Sequence, residues 1–271
     1  MVAAVEHSVV LVGAGNMGGA MLSGWLSKGV PGNRITVVDP SPSDAMKTKM
    51  AEAGVVHTTA APANPTDILF LAVKPQMMDA VLPPLTSLVG DRTVVVTVAA
   101  GKTLGFIEGH LGDAAMVRAM PNTPTMVGRG VTGAFANSRV TEVQRDAVDA
   151  LLRVGGPVEW VSAEADIDAV TAVSGSGPAY VFYLVECMAE AGRKAGLPAD
   201  LAMRLARETV SGAGELMHQS PEDASQLRKN VTSPGGTTAA ALAVLMAENG
   251  MQPLFDQAIA AARQRAEELG Q

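Results

Sequence analysis

Four apolar runs in the first half of the chain constrain its fold more than any other feature. They read SVVLV, RITVV, DILFLAV and TVVVTVA, and stretches of helical character lie between them. Continuous apolar runs rich in β-branched residues are typical of strands that are buried on both faces of a parallel sheet. The alternation therefore predicts a doubly wound α/β domain, with AMVRAM and GVTGAFA as further strand candidates.

A glycine-rich turn, GAGNMG, follows the first apolar run and opens a predicted helix. Gly13 permits a tight turn, Gly15 lets the backbone approach a pyrophosphate, and Gly18 lets the helix pack close to the strand. The amides at the helix N-terminus then face the phosphates. In this context the motif predicts a Rossmann-like dinucleotide-binding domain. A structural glycine turn in some other α/β fold is the alternative.

The identity of the dinucleotide depends on the segment DPSPS after the second apolar run. Asp39 stands where an acidic residue binds the ribose hydroxyls of NAD, and its charge would repel a 2′-phosphate. Ser41 and Ser43 offer hydroxyls that could bind such a phosphate, and Lys47 is the nearest cation. The sequence therefore predicts NADH or NADPH as cofactor and leaves the choice open.

Further cofactor contacts are expected where the other strands end, because the carboxyl ends of parallel strands line the ligand crevice. Lys74 follows the third apolar run and could reach a phosphate or the substrate, whereas a solvated surface lysine is the alternative. The small residues after the fourth run leave room for a flat ring. The cofactor contacts predicted from these segments are Gly13, Gly15, Asn16, Met17, Gly18, Asp39, Ser41, Ala72, Val73, Lys74, Pro75, Ala99, Ala100 and Gly101.

The sequence changes character near residue 163, and nothing after it indicates a strand. We therefore predict a dinucleotide-binding domain at 1–163 and an all-helical domain at 164–271. The predicted helices of the second domain are 178–195, 198–219, 221–229, 237–248 and 252–269.

Two of these helices, around AYVFYLVECMAEA and AAALAVLMA, are apolar nearly all round. A surface helix should carry one apolar stripe, and a small helical domain cannot easily bury two such helices. We therefore predict that a second subunit completes the core. Coverage by the α/β domain is the alternative.

Composition excludes several classes of partner and site. A net charge of −7 argues against nucleic acid as the main partner, because phosphate neutralisation needs a basic face. No apolar run approaches the ~20 residues that span a membrane. The one cysteine, Cys187, allows no intrachain disulfide, and its apolar helical setting predicts a buried structural thiol. These features favour a cytoplasmic protein without a membrane contact.

The sequence shows no motif for hydrolytic or metal-dependent catalysis. The histidines are scattered, without the spacing of a metal site, and no nucleophile elbow is present. Hydride transfer from a nicotinamide requires neither a metal nor a nucleophile, but only two aligned carbons and a proton source.

Five segments, taken in order, resemble the pyrroline-5-carboxylate reductase family over nearly the whole chain. They are GAGNMG, AVKP, VRAMPNTPTMVGRGVTG, DAVTAVSGSGPAY and NVTSPGGTTAAALAVLMAENG, of which TSPGGTT is the most specific piece and MPNTP the next. The resemblance implies reduction of 1-pyrroline-5-carboxylate to L-proline, the last step of proline biosynthesis. It also implies that the helical domain forms an interlocked homodimer, which many members assemble into a decamer of five dimers. The active site then lies between the nucleotide domain of one subunit and the helical domain of its partner.

The resemblance also implies roles for single residues. Thr238 matches a threonine whose hydroxyl lies near the ring nitrogen, and is the candidate catalytic residue. Asn230 matches an asparagine that bridges cofactor and substrate. Glu164 matches an acidic residue near the substrate, with a solvated loop carboxylate as the alternative. Asn122, in MPNTP, ends a strand at the crevice and is expected to position the nicotinamide, and Ser176 lies beside the active-site loop.

The segment SPGGTT is expected to bind the carboxylate of this substrate. Successive backbone amides at a helix start form an anion pocket, and Gly235 and Gly236 permit close backbone approach. The predicted contacts are Ser233, Gly235, Gly236 and Thr237. Helix capping by Thr237 or Thr238 is the alternative, and both roles are compatible.

Two other functions stay open. A β-hydroxyacid dehydrogenase would share the domain order but would need a catalytic lysine in the second domain, where Lys194 and Lys229 are both poorly placed. A nucleotide-binding regulatory module would bind cofactor without turnover. Where many members of the resembled family carry Asn, Arg or Ser after the second strand, this chain has DPSPS, so the usual preference for NADPH does not follow.

Overall fold

The computed structural model describes residues 7–270. The chain divides into two compact units, and each is described by itself. The first unit runs to Gly175 and includes the chain again from Ala262 onward, and the second is Ser176–Ala261. No helix in the described part of the chain combines the length and the apolar character needed to cross a membrane.

The first unit is built on an eight-stranded sheet of order β3-β2-β1-β4-β5-β6-β7-β8, in which only the β6–β7 pairing is antiparallel. The chain order reverses at β1, which pairs with β2 on one side and β4 on the other. This reversal makes a crevice at the carboxyl ends of β1 and β4. The strands are β1 Val9–Val12, β2 Ile35–Val38, β3 Val56–Thr58, β4 Ile68–Leu71, β5 Val94–Thr97, β6 Ala115–Pro121, β7 Thr132–Ala136 and β8 Val158–Trp160.

Two helical layers cover this sheet, which confirms the predicted doubly wound fold. Every residue of β1, β4 and β5 is buried, so these strands are apolar on both faces. Val9 packs into the core on one face and Val10 into the core on the other. The fully buried Trp25 anchors the first core, where its ring meets Phe70 edge-on at 5.2 Å and its indole N–H donates to the carbonyl of Leu151. A large apolar side chain buried in this way contributes roughly 1.5–3 kcal/mol.

Side-chain caps set the starts of three of the six α-helices described in the first unit, namely α2, α4 and α5. Ser43 accepts a hydrogen bond from the amide of Met46 and caps α2, and the predicted capping box of Thr141 and Gln144 is present at α5. A π-helical turn, Thr171–Gly175, directly follows α6. The helices are α1 Asn16–Ser27, α2 Asp44–Ala53, α3 Met78–Val81, α4 Leu104–Leu111, α5 Glu142–Leu152 and α6 Asp166–Val170.

The second unit is helical throughout, as predicted. Its helices are α7 Gly177–Lys194, α8 Ala199–Gln219, α9 Ala224–Asn230, α10 Thr237–Leu245 and the first part of α11 Met251–Leu269. The side chains that α7 and α8 bury are small, namely Ala189, Ala202 and Ala206. Large apolar side chains instead point to solvent, with Phe182 62%, Tyr183 66% and Val244 71% exposed in the single chain. Exposure on this scale marks an interaction surface.

The expectation that Cys187 is a buried thiol is wrong for this chain, because Cys187 is exposed. It lies one helical turn beyond the exposed Tyr183, on a face of α7 that no described residue covers. An apolar sequence setting predicts burial only where another element packs against it. In the described chain no element packs against this face of α7.

Candidate functional site

The glycine turn between β1 and α1 depends on glycine at two positions for reasons internal to the chain. Gly13 has a φ of +91°, and a Cβ there would stand 2.9 Å from the carbonyl oxygen of Ala72. A Cβ on Gly18 would stand 2.0 Å from the carbonyl oxygen of Gly13. Around Gly15, in contrast, no described atom lies within 4 Å of a Cβ position. Gly15 therefore borders open space at the start of the helix.

The start of α1 is suited to binding an anion. Gly15 is its N-cap residue and has no side chain to cap the helix, and the first turn contains no acidic residue. The first amides of a helix have no intrahelical partner and carry the positive end of the helix dipole. The amides of Asn16 and Met17 are thus available to an anion, and their predicted contact with the pyrophosphate stays a prediction.

Asp39, at the end of β2, has a role within the chain that the sequence did not indicate. One carboxylate oxygen accepts the amide of Ala14 at 2.7 Å, and the other accepts the amide of Ser41 at 2.8 Å. Asp39 therefore joins the glycine turn to the loop after β2. Each oxygen retains a further lone pair, so this role is compatible with binding ribose hydroxyls.

A cavity of about 580 Å³ opens where β1, β2 and β4 end. Its size suits the adenosine half of a dinucleotide. It contains seven of the predicted cofactor contacts, namely Gly13, Gly15, Asp39, Ser41, Ala72, Val73 and Lys74. It is also lined by residues that the sequence reasoning missed, among them Ala60, Ala61, Met77, Val81 and Leu85. The sequence hardly distinguishes them as cofactor contacts, because small and apolar side chains in loops after strands are also ordinary packing residues.

A larger groove of about 1000 Å³ runs along α1 from Asn16 to Ser27. It shares Gly15, Asp39 and Ser41 with the smaller cavity but leads away from the strand ends. Since ligands of open α/β sheets bind at the carboxyl ends of the strands, the smaller cavity is the better candidate for the nucleotide.

The loop after β5 is fixed by packing within the first unit. Gly101 has a φ of +74°, and a Cβ there would stand 2.7 Å from the Cβ of Leu269, at the end of α11. Ala99 is 6% exposed and its amide donates to Thr97 Oγ1 at 3.3 Å. The small residues predicted to leave room for a flat ring therefore form an ordered loop beside the crevice.

Asn122 ends β6 and is itself held by backbone groups. Its Nδ2 donates to the carbonyl of Ser174 at 3.1 Å, and its Oδ1 accepts the amide of Val131 at 3.0 Å. The side chain thereby joins the strand end to the π-helical turn and to the start of β7. Its predicted contact with the nicotinamide stays a prediction.

Glu164 belongs to a cluster that sequence reasoning missed. Its Oε1 accepts the amide of Leu104 at 2.7 Å and lies 3.5 Å from Nη1 of Arg118. Arg118 is 3% exposed, and its Nη2 donates to Asp168 at 2.8 Å. The signal was available, because an arginine inside the apolar strand AMVRAM must have acidic partners. The sequence did not indicate which carboxylates those partners would be.

In the second unit, the segment SPGGTT forms an open turn into α10. Gly235 has a φ of +70°, a conformation that favours glycine, and the amide of Gly236 donates to the carbonyl of Ser233 at 3.0 Å. The N-cap of α10 is Gly236, so Thr237 and Thr238 are its first two residues. The alternative in which one of these threonines caps the helix is wrong. The first amides of α10 are left without a side-chain cap.

Asn230, the last residue of α9, is exposed and hydrogen-bonded within the second unit. Its Oδ1 accepts from Gln226 at 2.8 Å, and its Nδ2 donates to Glu222 at 2.9 Å. The predicted site residues thus fall into two groups. The cofactor contacts and Glu164 belong to the first unit, and Asn230 through Thr238 belong to the second.

Comparison with known proteins adds an independent line of observation. A family model described as pyrroline-5-carboxylate reductase dimerisation matches residues 164–269, and one described as NADP oxidoreductase, coenzyme F420-dependent, matches residues 8–101. The chain is 40% identical over 265 residues to pyrroline-5-carboxylate reductase of Pseudomonas aeruginosa, which covers 97% of each chain.

Two solved structures are similar over nearly their whole length. A pyrroline-5-carboxylate reductase from Coxiella burnetii has a TM-score of 0.91 and 38% identity, with 98% of this chain and 99% of that chain covered. Pyrroline carboxylate reductase from Plasmodium falciparum, solved with NADP bound, has a TM-score of 0.81 and 27% identity, with 98% and 99% covered.

Proposed function

The chain belongs to the pyrroline-5-carboxylate reductase family, and from this premise we propose how its residues carry out the reaction. The protein is an oxidoreductase that uses NAD(P)H to reduce 1-pyrroline-5-carboxylate to L-proline. The observation that carries this function is the 40% identity to the Pseudomonas enzyme over nearly all of both chains. A β-hydroxyacid dehydrogenase would need a catalytic lysine, and Lys194 instead lies in the last turn of α7, 3.6 Å from Glu190.

The first unit fits a dinucleotide, since an uncapped helix start, an open Gly15 and a cavity meet at the strand ends. Asn16 and Met17 bind the pyrophosphate through their amides, and Asp39 and Ser41 border the adenosine ribose. When bound, the reduced nicotinamide supplies the hydride that the imine carbon receives. The loop Ala99–Gly101 borders the nicotinamide half, and the choice between NADH and NADPH depends on the groups around Ser41.

The turn before α10 binds the substrate carboxylate. The uncapped amides of Thr237 and Thr238 donate to it, and Gly235, around which no described atom lies within 4 Å of a Cβ position, leaves space for the ligand to approach the backbone. Gly236 is the N-cap and brings no side chain into this space. The hydroxyl of Thr238 orients the imine nitrogen and relays its proton. Asn230 and Ser233 complete this side of the site, and Glu164 contributes from the first unit. The iminium form is the better hydride acceptor because of its positive charge, and alignment supplies most of the rate.

The assembly proposed for this chain is a homodimer that can associate further into a decamer of five dimers. The family model that matches residues 164–269 is a dimerisation domain, and the exposed Phe182, Tyr183 and Val244 supply an apolar surface for it. In this proposal residues 1–163 of one subunit bind the nucleotide. Residues 164–271 of its partner bind the substrate at the same site. A cytoplasmic location is part of the same proposal.

The test is steady-state consumption of NADH and of NADPH by the purified protein. We expect consumption when the cyclic imine is added, with proline as product. Consumption with hydroxyacids alone, or cofactor binding without any turnover of the imine, would contradict the proposed function.

A further inference from the structure

Arg118 is the one guanidinium that the first unit buries within its sheet, among the described residues. It lies on β6, opposite Thr97 of β5 and Phe135 of β7. A buried cation is costly unless it is both paired and hydrogen-bonded. Arg118 meets this requirement through Glu164 at 3.5 Å and Asp168 at 2.8 Å.

The stronger hydrogen bond of Glu164 leads away from this cluster. Its Oε1 accepts the amide of Leu104 at 2.7 Å. Leu104 is the first residue of α4 and directly follows the loop after β5. The contacts therefore run without interruption from Arg118 through Glu164 to the end of the loop that contains Ala99 and Gly101. One guanidinium faces two carboxylates here, and the uncompensated negative charge lies at the positive end of α4.

The order of the strands indicates which half of the cofactor this loop borders. Asp39 directly follows β2, on one side of β1, whereas the loop after β5 lies on the other side, beyond β4. A dinucleotide whose pyrophosphate lies at the glycine turn and whose adenosine ribose lies at Asp39 must extend its nicotinamide towards β4 and β5.

We infer that Arg118 is a positioning residue for the nicotinamide half of the cofactor, acting through Glu164 and the amide of Leu104. The inference rests on the proposed function insofar as the ligand is a dinucleotide. Without Arg118, the carboxylates of Glu164 and Asp168 lose their shared cation, and repulsion between the two charges moves Glu164 towards water. The amide of Leu104 then loses its acceptor, and the loop before it loses its fixed geometry. The carboxylate of Asp39 accepts from Ala14 and Ser41, outside this cluster, so the glycine turn and Asp39 keep their arrangement.

The test separates the two halves of the cofactor. Arg118→Met is compared with wild type by calorimetric titration of the intact reduced dinucleotide and of its adenosine fragment, ADP for NADH or the 2′-phosphate of ADP for NADPH. We expect the affinity for the intact dinucleotide to fall about tenfold, as for loss of one charge-assisted hydrogen bond. The affinity for the fragment is unchanged. Arg118→Lys, which keeps the charge, recovers part of the loss.

Arg139→Met is the matched control, because Arg139 is half-exposed, pairs with Asp113 and is outside the site. It should change neither affinity. Equal weakening of fragment and dinucleotide by Arg118→Met would overturn the inference in favour of a general structural role, and so would no weakening at all. If that variant does not fold, Glu164→Ala keeps the pair of Arg118 with Asp168 and must show the same selective loss. Failure of the wild type to reduce the imine would instead count against the proposed function, since these titrations contain no imine.

Discussion

The carboxylate of Asp39 accepts one backbone amide on each oxygen, from Ala14 and from Ser41. For NADPH, a carboxylate placed in this way has two opposing effects on binding. Its negative charge disfavours a 2′-phosphate, while its hydrogen bonds hold the glycine turn that both cofactors need. The effect of removing it therefore differs from that expected for a carboxylate that contacts ribose alone.

Asp39→Ser should lower kcat/KM with NADH about tenfold, because the amide of Ala14 loses its charged acceptor. With NADPH the loss should be smaller, because repulsion of the 2′-phosphate disappears with the charge. Steady-state kinetics with both cofactors measures this. Asp113→Ser, at a half-exposed carboxylate that pairs with Arg139 outside the site, serves as control and should leave both values as in wild type. An unchanged kcat/KM with NADH would show that the hydrogen bonds of Asp39 do not support the turn.

Thr238→Ala should lower kcat about a hundredfold, the lower range for a positioned proton donor, while the dissociation constant of the cofactor stays the same. Thr238→Ser retains the hydroxyl and should keep most of the activity. Single-turnover kinetics and cofactor titration on the two variants provide the measurement. Equal kcat for the Ala and Ser variants would remove the hydroxyl from the mechanism.

At the scale of residues, the sequence predicts positions better than contacts. Gly13, Asp39 and Lys74 lie around the cavity at the strand ends because each follows, within three residues, a strand that could be recognised. The hydrogen bonds of Asp39 and the partners of Arg118 could not be foreseen. They join positions far apart in the chain, such as Arg118 and Asp168, and local sequence contains no information on that pairing.

At the scale of elements, the predictable strands and helices are those with a strong local signal. β1, β4 and β5 are buried on both faces and read as apolar runs. β3 and β8 were missed because each has three residues and β3 is largely exposed, so neither shows an apolar run. The π-helical turn after α6 was also missed, since its geometry depends on packing and on the bond from Asn122 to Ser174.

At the glycine turn before α1, one glycine is needed for packing and another for cofactor binding. Gly15→Ala should lower stability less than Gly18→Ala, because a Cβ there meets no described atom and only the preference for glycine over alanine at an N-cap is lost. It should still weaken binding of the dinucleotide, because the pyrophosphate needs that space. Gly18→Ala should lower stability by about 1–3 kcal/mol, because a Cβ there overlaps the carbonyl of Gly13. Thermal unfolding and cofactor titration on both variants test this contrast. A stability loss at Gly15 as large as that at Gly18, or no loss at Gly18, would contradict it.

At the scale of the whole molecule, the second unit is incomplete as a single chain. Its helices bury alanines, whereas Phe182, Tyr183 and Val244 stand in solvent. This agrees with the prediction that helices apolar nearly all round require a partner surface. Sequence could identify the need for such a surface, but the position of the partner is a property of two chains, and no pattern within one of them determines it.

Phe182→Glu tests that surface directly. In a monomer the change would be harmless, because Phe182 is 62% exposed and a carboxylate there stays hydrated. In a dimer it places a charge in an apolar interface, and we expect dissociation together with loss of imine reduction. Val143→Glu is the matched control, because it makes the same apolar-to-acid change at a residue that is 68% exposed on α5 of the first unit. Sedimentation measures the mass of each variant, and kinetics measures its activity. If the Phe182 variant became a folded monomer with full activity, the proposed site shared between subunits would be wrong, because each chain would then contain a complete site of its own.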